Sequence, residues 1–547
     1  MKPTPCTILA LLYCSSAWAN GSVAGKATAA GRYELSWPSQ VNREYTIMLS
    51  TNLVEGYAGF ATVQSTPPLN IWWEETALPT RFYAIARPAV TNSPGNTRAV
   101  AHEFNRRLGR GNNFMASKSM GDDGAPEDYA LLNHHYFSHC RIGYKMDLVA
   151  GSAPDYIIPA ANMAVLEKMV DWCLSQGLVA NVDPVHNWAN DTGEAQYDPD
   201  DLDKLSNIWV QVATHFAGYD LENVVFEIMN EPHSEDNVAE VIATGLAAIR
   251  GVAGNETRMV IVSGDGFSTR QALIDALDKD EIPTDDDYLI GTFHYYDPKT
   301  FTKSGDPGTV NWGTPSEFSR VATDFDAVLT ANTNWAVRNG TEPLPIYLGE
   351  FGCDNGVPGA GRKKWLSWIR LQAETRGMSW AHWNMYQNTD SSKGMGPWTT
   401  TEKNNPELRY FDADPVEALI GRYEFEAGSK GGGVATAATA AGFTGTGYAA
   451  FPAATGPGVW ARVDGIYIPD TGTYVVQIHY ASAVARTLRL VSNAEEITAQ
   501  VFPATGSSNS WKTLEIPVSF AAGELAELTV VAAADEGVEL DWLKITK

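Results

Sequence analysis

At 547 residues the chain is too long for one hydrophobic core, so about two to four domains are expected. Its 44% hydrophobic and 19% charged residues are those of an ordinary globular protein and speak against a disordered or fibrous one. A net charge of -26 argues against nucleic acid and anionic membrane as partners, because phosphates would be repelled.

The N-terminus has the pattern of an export signal over residues 1–19. Lys2 supplies the positive charge, residues 8–13 form an apolar core, and Ala17-Trp18-Ala19 fits small-x-small cleavage. The expectation is a secreted protein, extracellular or periplasmic. No later stretch approaches the ~18 apolar residues of a membrane span. Beyond the signal only Cys140, Cys173 and Cys353 remain, an odd number without zinc spacing, which reads as buried free thiols. Residues 20–90 contain short β-prone runs, such as Tyr33-Glu34-Leu35-Ser36-Trp37 and Tyr45-Thr46-Ile47-Met48-Leu49, and are expected to form a small β-sandwich accessory domain. A polar turn-rich linker follows at residues 91–97.

Residues 98–420 alternate amphipathic helices with apolar runs. Leu202, Leu205, Trp209, Val212 and Phe216 line one helical face, as do Met163, Leu166, Val170 and Leu174 one unit earlier. Strand-like runs fall at 177–182, 224–228, 259–262, 289–293 and 346–348. Strands alternating with helices over this length predict an α/β fold, a closed (β/α)₈ TIM barrel. In such a barrel, function sits where strands end. Val224-Val225-Phe226-Glu227-Ile228-Met229-Asn230-Glu231-Pro232 and Ile346-Tyr347-Leu348-Gly349-Glu350-Phe351-Gly352 each place a carboxylate there. Two facing carboxyls are what glycosidic bond cleavage requires.

With these motifs the middle segment resembles family 5 of the glycoside hydrolases, in its cellulase-like branches. The resemblance implies Glu231 as acid/base, Glu350 as nucleophile, and Asn230 as the group reaching the sugar 2-hydroxyl. It further implies Arg141 as the arginine that positions the nucleophile, His186 in the cleavage subsite, His294 and Tyr296 as the sixth-strand His-x-Tyr, and Trp383 as the sugar platform. Gly111-Asn112-Asn113 resembles the first-strand Gly-x-Asn. Two departures stand out: Pro184 where the family often has Asp, and Gly264-Asp265-Gly266-Phe267 where many members carry Trp.

Residues 421–547 read as a separate β-sandwich, with Tyr474, Val476, Ile478 and Tyr480 alternating with Val475, Gln477 and His479. The bracket of Tyr423-Glu424-Phe425-Glu426 and Leu540-Asp541-Trp542-Leu543 resembles carbohydrate-binding modules of families 35 and 6. That resemblance implies a structural calcium on Glu424, Glu426 and Asp541, with Trp460 and Tyr480 as candidate sugar contacts. The expected whole is a monomeric, retaining endo-β-1,4-glycanase acting on cellulose or mixed-linkage glucan, without a catalytic cofactor. β-Mannan is the alternative substrate, and a barrel that binds without cutting is the rival of another class. Ester chemistry lacks a Gly-x-Ser-x-Gly elbow here.

Overall fold

The computed structural model describes residues 24–546, apart from 28–32, 40–42, 51–57, 66–68, 75–81, 87–89, 116–124, 136, 186–198, 234–237, 304–311, 358, 389–393, 397, 401–408, 412, 427, 441–442, 444–446, 453–457, 469–470, 494, 522–524 and 533–536. The expected export signal and His186 lie outside the described residues. The described chain divides into two compact units. One runs to Tyr295 and adds Ala322–Phe351 and Ala373–Met385; the other holds Tyr296–Val321, Gly352–Gln372 and everything from Tyr386 onward.

In the first unit, the N-terminal strands are β1 (Ala24–Ala27), β2 (Tyr33–Pro38), β3 (Glu44–Ser50), β4 (Ala58–Gln64), β5 (Leu69–Glu74) and β6 (Phe82–Ala86). They form two three-stranded sheets, β1-β2-β5 and β4-β3-β6, around Leu35, Trp37, Tyr45, Ile47, Tyr83 and Ile85. Arg43 ties this region to the segment before the fourth barrel strand through Glu222, at 2.8 Å.

Eight parallel strands then close the barrel: β7 (Arg110–Met115), β8 (His139–Gly143), β9 (Val179–Asp183), β10 (Val224–Glu227), β11 (Val260–Ser263), β12 (Leu289–His294), β13 (Ile346–Phe351) and β14 (Ser379–His382). The helices in chain order are α1 (Ala99–Leu108), α2 (Pro126–His134), α3 (Met146–Val149), α4 (Ala160–Ser175), α5 (Pro199–His215), α6 (Val238–Arg250), α7 (Arg270–Asp278), α8 (Lys299–Thr302), α9 (Pro315–Asn339), α10 (Gly359–Glu374) and α11 (Ala413–Ile420). Strand alternation divides the labour. Phe226 of β10 faces the helices, packing 5.2 Å from Trp209 of α5, while the next residue, Glu227, is fully buried and pairs with Arg141 of β8. Cys140, Cys173 and Cys353 are buried free thiols.

The second unit carries a small sheet of β15 (Tyr386–Asn388), β16 (Trp398–Thr400) and β17 (Arg409–Phe411). Beyond it lie β18 (Arg422–Glu424), β19 (Ser429–Gly431), β20 (Ala435–Ala437), β21 (Tyr448–Ala450), β22 (Trp460–Tyr467), β23 (Gly472–Ala481), β24 (Arg486–Ser492), β25 (Glu495–Phe502), β26 (Trp511–Phe520), β27 (Leu525–Ala532) and β28 (Glu539–Thr546). They make two antiparallel sheets over one apolar core that includes Phe425, Val476, Ile478, Leu528 and Leu540. The first and last of these strands pair, Glu424 facing Trp542. Among the described residues no helix is long and apolar enough to cross a membrane.

Candidate active site

The barrel mouth is organised by one buried cation. Arg141 sits on β8 with no exposed side-chain surface, and all five of its N–H groups are matched. Nε and Nη2 donate to Glu227 at 2.8 and 2.7 Å, and Nη2 also donates to Oδ1 of Asn230 at 2.7 Å. Nη1 donates to Oε1 of Glu350 at 2.8 Å and to Oδ1 of Asn113 at 2.9 Å. Asp183, at the end of β9, adds a carboxylate 3.3 Å from Nη2. Burial works against the guanidinium charge, but Glu227 and Asp183, then Glu350, hold it well above its ordinary value. Asn113 and Glu227 are fixed in turn. Asn113 Nδ2 donates to the carbonyls of Gly349 and His382, and Asn181 Nδ2 donates to Oε2 of Glu227 at 2.7 Å.

Glu350 reaches this centre through an irregular strand. The β12–β13 register shifts after Phe293, so that His294 comes opposite Glu350, and the β13–β14 register shifts between Leu348 and Phe351. Such bulges re-aim a side chain. Gly349 makes room for the arrangement: a Cβ there would lie 2.8 Å from Oγ1 of Thr292 and 3.1 Å from Nε2 of His294.

Nδ1 of His294 lies 2.9 Å from Oε1 of Glu231 and 3.6 Å from Oε2 of Glu350. One ligand-type atom from each of the three residues falls within 4.8 Å of the others. Burial lowers the His294 pKa, but Glu350 and Glu231 outweigh it and the group ends above its ordinary value. The two carboxylates differ in setting. The Glu231 side chain is 34% exposed and that of Glu350 only 5%. Two close carboxyls, one open and one enclosed beside a fixed guanidinium, can divide proton transfer from nucleophilic attack.

The sequence profile described as Cellulase (glycosyl hydrolase family 5) matches residues 108–389, just over half of the chain. The chain belongs to glycosyl hydrolase family 5. Among curated relatives, Endoglucanase H of Acetivibrio thermocellus is 30% identical over 332 residues, 58% of this chain and 33% of that protein. Cellulase/esterase CelE of the same organism is 26% identical over 306 residues, 52% of this chain and 35% of that protein. The chain thus spans about a third of the length of either. A solved endoglucanase Cel5A from Thermotoga maritima aligns with a TM-score of 0.48 and 24% identity, over 58% of this chain and 99% of that one.

The other expected family 5 positions are distributed as follows. Trp383 follows β14, half-buried, its backbone N–H donating to the Phe351 carbonyl at 2.7 Å. Tyr296, two residues after His294, is buried in the second unit, with Nζ of Lys303 3.8 Å from its ring centroid. Sequence reasoning passed over Glu227, Asn181 and the ionic role of Asp183. Their signal was present: a charged or amide residue inside a buried apolar strand needs a partner. Arg141 supplies it to Glu227 from two strands away and to Asp183 from the adjacent strand, and Asn181 bonds Glu227.

The loop after β11 also reaches the site. Gly266, Phe267 and Ser268 have φ of 87°, 61° and 47°, so two non-glycine residues stand in the left-handed region. Phe267 is 52% exposed and stacks on His233 at 4.1 Å, 10° from parallel. The Phe267 N–H donates to the Pro232 carbonyl, and Ser268 Oγ donates to the Asn230 carbonyl at 2.6 Å. These bonds fasten an exposed aromatic face to the loop that carries Glu231.

In the second unit, Glu424, Glu426 and Asp541 bring one carboxylate oxygen each within 4.8 Å of the others. Burial pushes Glu424 up and Arg422 pulls it down, while Glu426 and Asp541 add to the rise; it ends at about 8. Arg422 Nε lies 3.0 Å from Glu424, and His479 Nδ1 lies 2.8 Å from Asp541. Converging carboxylates are the donor set of a hard cation such as calcium, so the residues fit that ion. Tyr480 is not a sugar contact. It is 1% exposed, packs against Phe502, and donates its hydroxyl to the Pro503 carbonyl, because its position on β23 faces the core. Trp460 is half-buried on β22 and lies flush against Gly431, where a Cβ would meet its ring at 2.5 Å.

Proposed function

We propose that the chain is a retaining endo-β-1,4-glucanase of cellulose or mixed-linkage glucan. The observation that carries this reading is the approach of Glu231 and Glu350, one oxygen of each within 4.8 Å at the mouth of the barrel. Inverting enzymes hold their carboxyls roughly 6.5–9.5 Å apart to admit a water, whereas retaining ones need about 5–5.5 Å. An oxygen of Glu350 attacks the anomeric carbon, the bond to the leaving glucan breaks, and Glu231 gives its proton to the departing oxygen. The resulting glycosyl ester on Glu350 is opened by water, whose proton returns to Glu231. Arg141 holds the attacking carboxylate in place, and Asn230, bonded to the same guanidinium, reaches the 2-hydroxyl. Trp383, His186 and Tyr296 complete the sugar site by their family positions. Substrate type rests on the family and on relatives named endoglucanase.

The same reading gives residues 1–19 to export, 20–90 to a small accessory domain, 98–420 to the barrel domain, and 421–547 to a carbohydrate-binding module resembling families 35 and 6. Glu424, Glu426 and Asp541 would hold calcium there, a structural charge far from the chemistry in sequence. The protein acts as a secreted monomer.

The test separates the two glutamates. Glu350→Ala should be inactive on every glycoside. Glu231→Ala should still cleave glycosides with good leaving groups, and azide should restore turnover. NMR of the first product should show the β-anomer. An initial α-product, or equal loss in both variants without azide rescue, overturns the reading.

A further inference from the structure

Glu227 is not one of the residues that the reaction itself uses, yet its carboxylate is fully buried in the barrel. It is a carboxylate with no exposed surface, four residues before Glu231, on a strand of otherwise apolar side chains. Burying a charge is costly unless it is paired and fully hydrogen-bonded. Glu227 meets that condition through Arg141 and Asn181: both oxygens accept from Arg141, and Oε2 also accepts from Asn181.

The geometry has a consequence for the reaction. A guanidinium is planar, and a side-on carboxylate on Nε and Nη2 fixes the orientation of that plane. With the plane fixed, the N–H groups left over point in set directions. One from Nη2 goes to Asn230, and the two from Nη1 go to Glu350 and Asn113. The residues expected to touch the anomeric carbon and the 2-hydroxyl are therefore aligned through one rigid cation, and Glu227 is the clamp on that cation. Asp183 contributes charge to the same guanidinium, one oxygen lying 3.3 Å from Nη2. Among the described residues, the other ionisable groups around the centre include His139 of β8, Tyr347 of β13, His294 of β12, and Glu231 in the loop after β10. His139 is pulled down to about 4 chiefly by burial, so it brings no competing positive charge to the back of Arg141. Its Nε2 lies 3.0 Å from the Tyr347 hydroxyl.

We propose that Glu227 is a positioning residue for the glycosidase reaction: by clamping Arg141 it sets the attack geometry of Glu350 and the reach of Asn230. The proposal rests on the assignment of Glu350 as nucleophile.

The experiment measures turnover per functional site, not per milligram. A 2-deoxy-2-fluoro-cellobiosyl inactivator titrates the sites and also reports the rate of attack by Glu350. Glu227→Gln should lower kcat and the maximal inactivation rate by about 10- to 100-fold, the scale of a small misplacement of reacting groups. KM should change little. Glu227→Asp, which keeps the charge, should recover part of the rate. Should Glu227→Gln not fold, Asn181→Ala loosens the same carboxylate without changing any charge, and should lower the rate in the same sense by a smaller factor. A purely structural role would reduce melting temperature and the number of titratable sites but leave the rate per site intact. That result overturns the proposal. Glu350→Ala is measured alongside. If it still turns over, the nucleophile assignment falls; if it is dead while Glu227→Gln keeps the full rate per site, only the positioning role falls.

Discussion

Nδ1 of His294 lies 2.9 Å from Oε1 of Glu231, so one imidazole ties the end of β12 to the loop after β10. Burial pulls this histidine down, but Glu350 and Glu231 lift it above 6.5. A histidine raised in the folded state gives stability that is complete below the unfolded pKa, about 6.5, and fades as pH rises through the folded value. His294→Asn should therefore depress the melting temperature most below about pH 6.5, and the deficit should shrink at higher pH. Calorimetry of both proteins across that range checks it. A deficit of constant size would show that the imidazole acts by packing and not by charge.

Asp147, on α3, gives the opposite sign. Burial pushes its carboxyl up to about 7, with Lys204 and Lys145 only partly opposing and Asp183 adding to the rise. Between about 3.8 and 7 the folded protein keeps a proton that the unfolded chain releases, so stability falls through that window and the penalty is complete above it. Asp147→Asn should match the parent near pH 4 and melt higher, by roughly 2–4 °C per kcal/mol relieved, above pH 7. A variant that is no more stable at pH 7.5 contradicts the buried-charge account.

How far the site was legible depended on which face of each strand a residue occupies. Glu231 and Glu350 could be read because each follows an apolar run that ends in polar residues. The strands β7 and β8, Arg-Gly-Asn-Asn-Phe-Met and His-Cys-Arg-Ile-Gly, could not be read from apolar periodicity. Their inward positions are given to Asn113 and Arg141, whose cost of burial is offset by each other and by carboxylates on other strands. No local pattern carries that pairing, and only resemblance located these strands. The bulge that brings His294 opposite Glu350 is likewise a property of two strands together.

Phe267 presents its outer face beside the loop of the proposed acid/base, which is the side on which the leaving sugar must lie. Its ring stacks on His233 and its backbone lies in the left-handed region. Phe267→Ala should lower kcat/KM on long glucans by about 3- to 10-fold, the scale of one aromatic contact. Cellobiosyl fluoride, whose leaving group is not a sugar, should be cut at nearly the parent rate. Equal losses on both substrates would place the residue outside leaving-sugar binding.

Calcium on Glu424, Glu426 and Asp541 should stabilise the folded state by mass action, because the three carboxylates converge only after folding. Chelator should lower the melting transition of the full chain, and calcium should restore it, while hydrolysis of soluble substrate stays nearly constant. Glu426→Gln should abolish the calcium response. A transition indifferent to chelator removes calcium from the account of this cluster.

Glucose and mannose units differ only in the direction of the 2-hydroxyl, so the choice between glucan and mannan is made by the polar groups that meet it. Asn230 is the expected one, and it is held by three hydrogen bonds. Its side-chain oxygen accepts from Arg141 at 2.7 Å, its backbone N–H donates to the Val185 carbonyl, and its own carbonyl accepts from Ser268. A hydrogen-bonding group held at three points cannot follow a hydroxyl that swings from equatorial to axial. Buried polar groups left unpaired by the wrong epimer are what make such discrimination strong. Reducing-end release should be compared on carboxymethylcellulose, barley β-glucan, glucomannan and pure mannan at equal mass. The two glucans should be cut fastest, glucomannan at an intermediate rate, and pure mannan slowest. Ser268→Ala, which removes one of the three anchors, should narrow the gap between barley glucan and mannan by lowering the glucan rate. If pure mannan is cut faster than barley glucan by the parent protein, the substrate is a mannan and the rigid Asn230 is set for the axial hydroxyl instead.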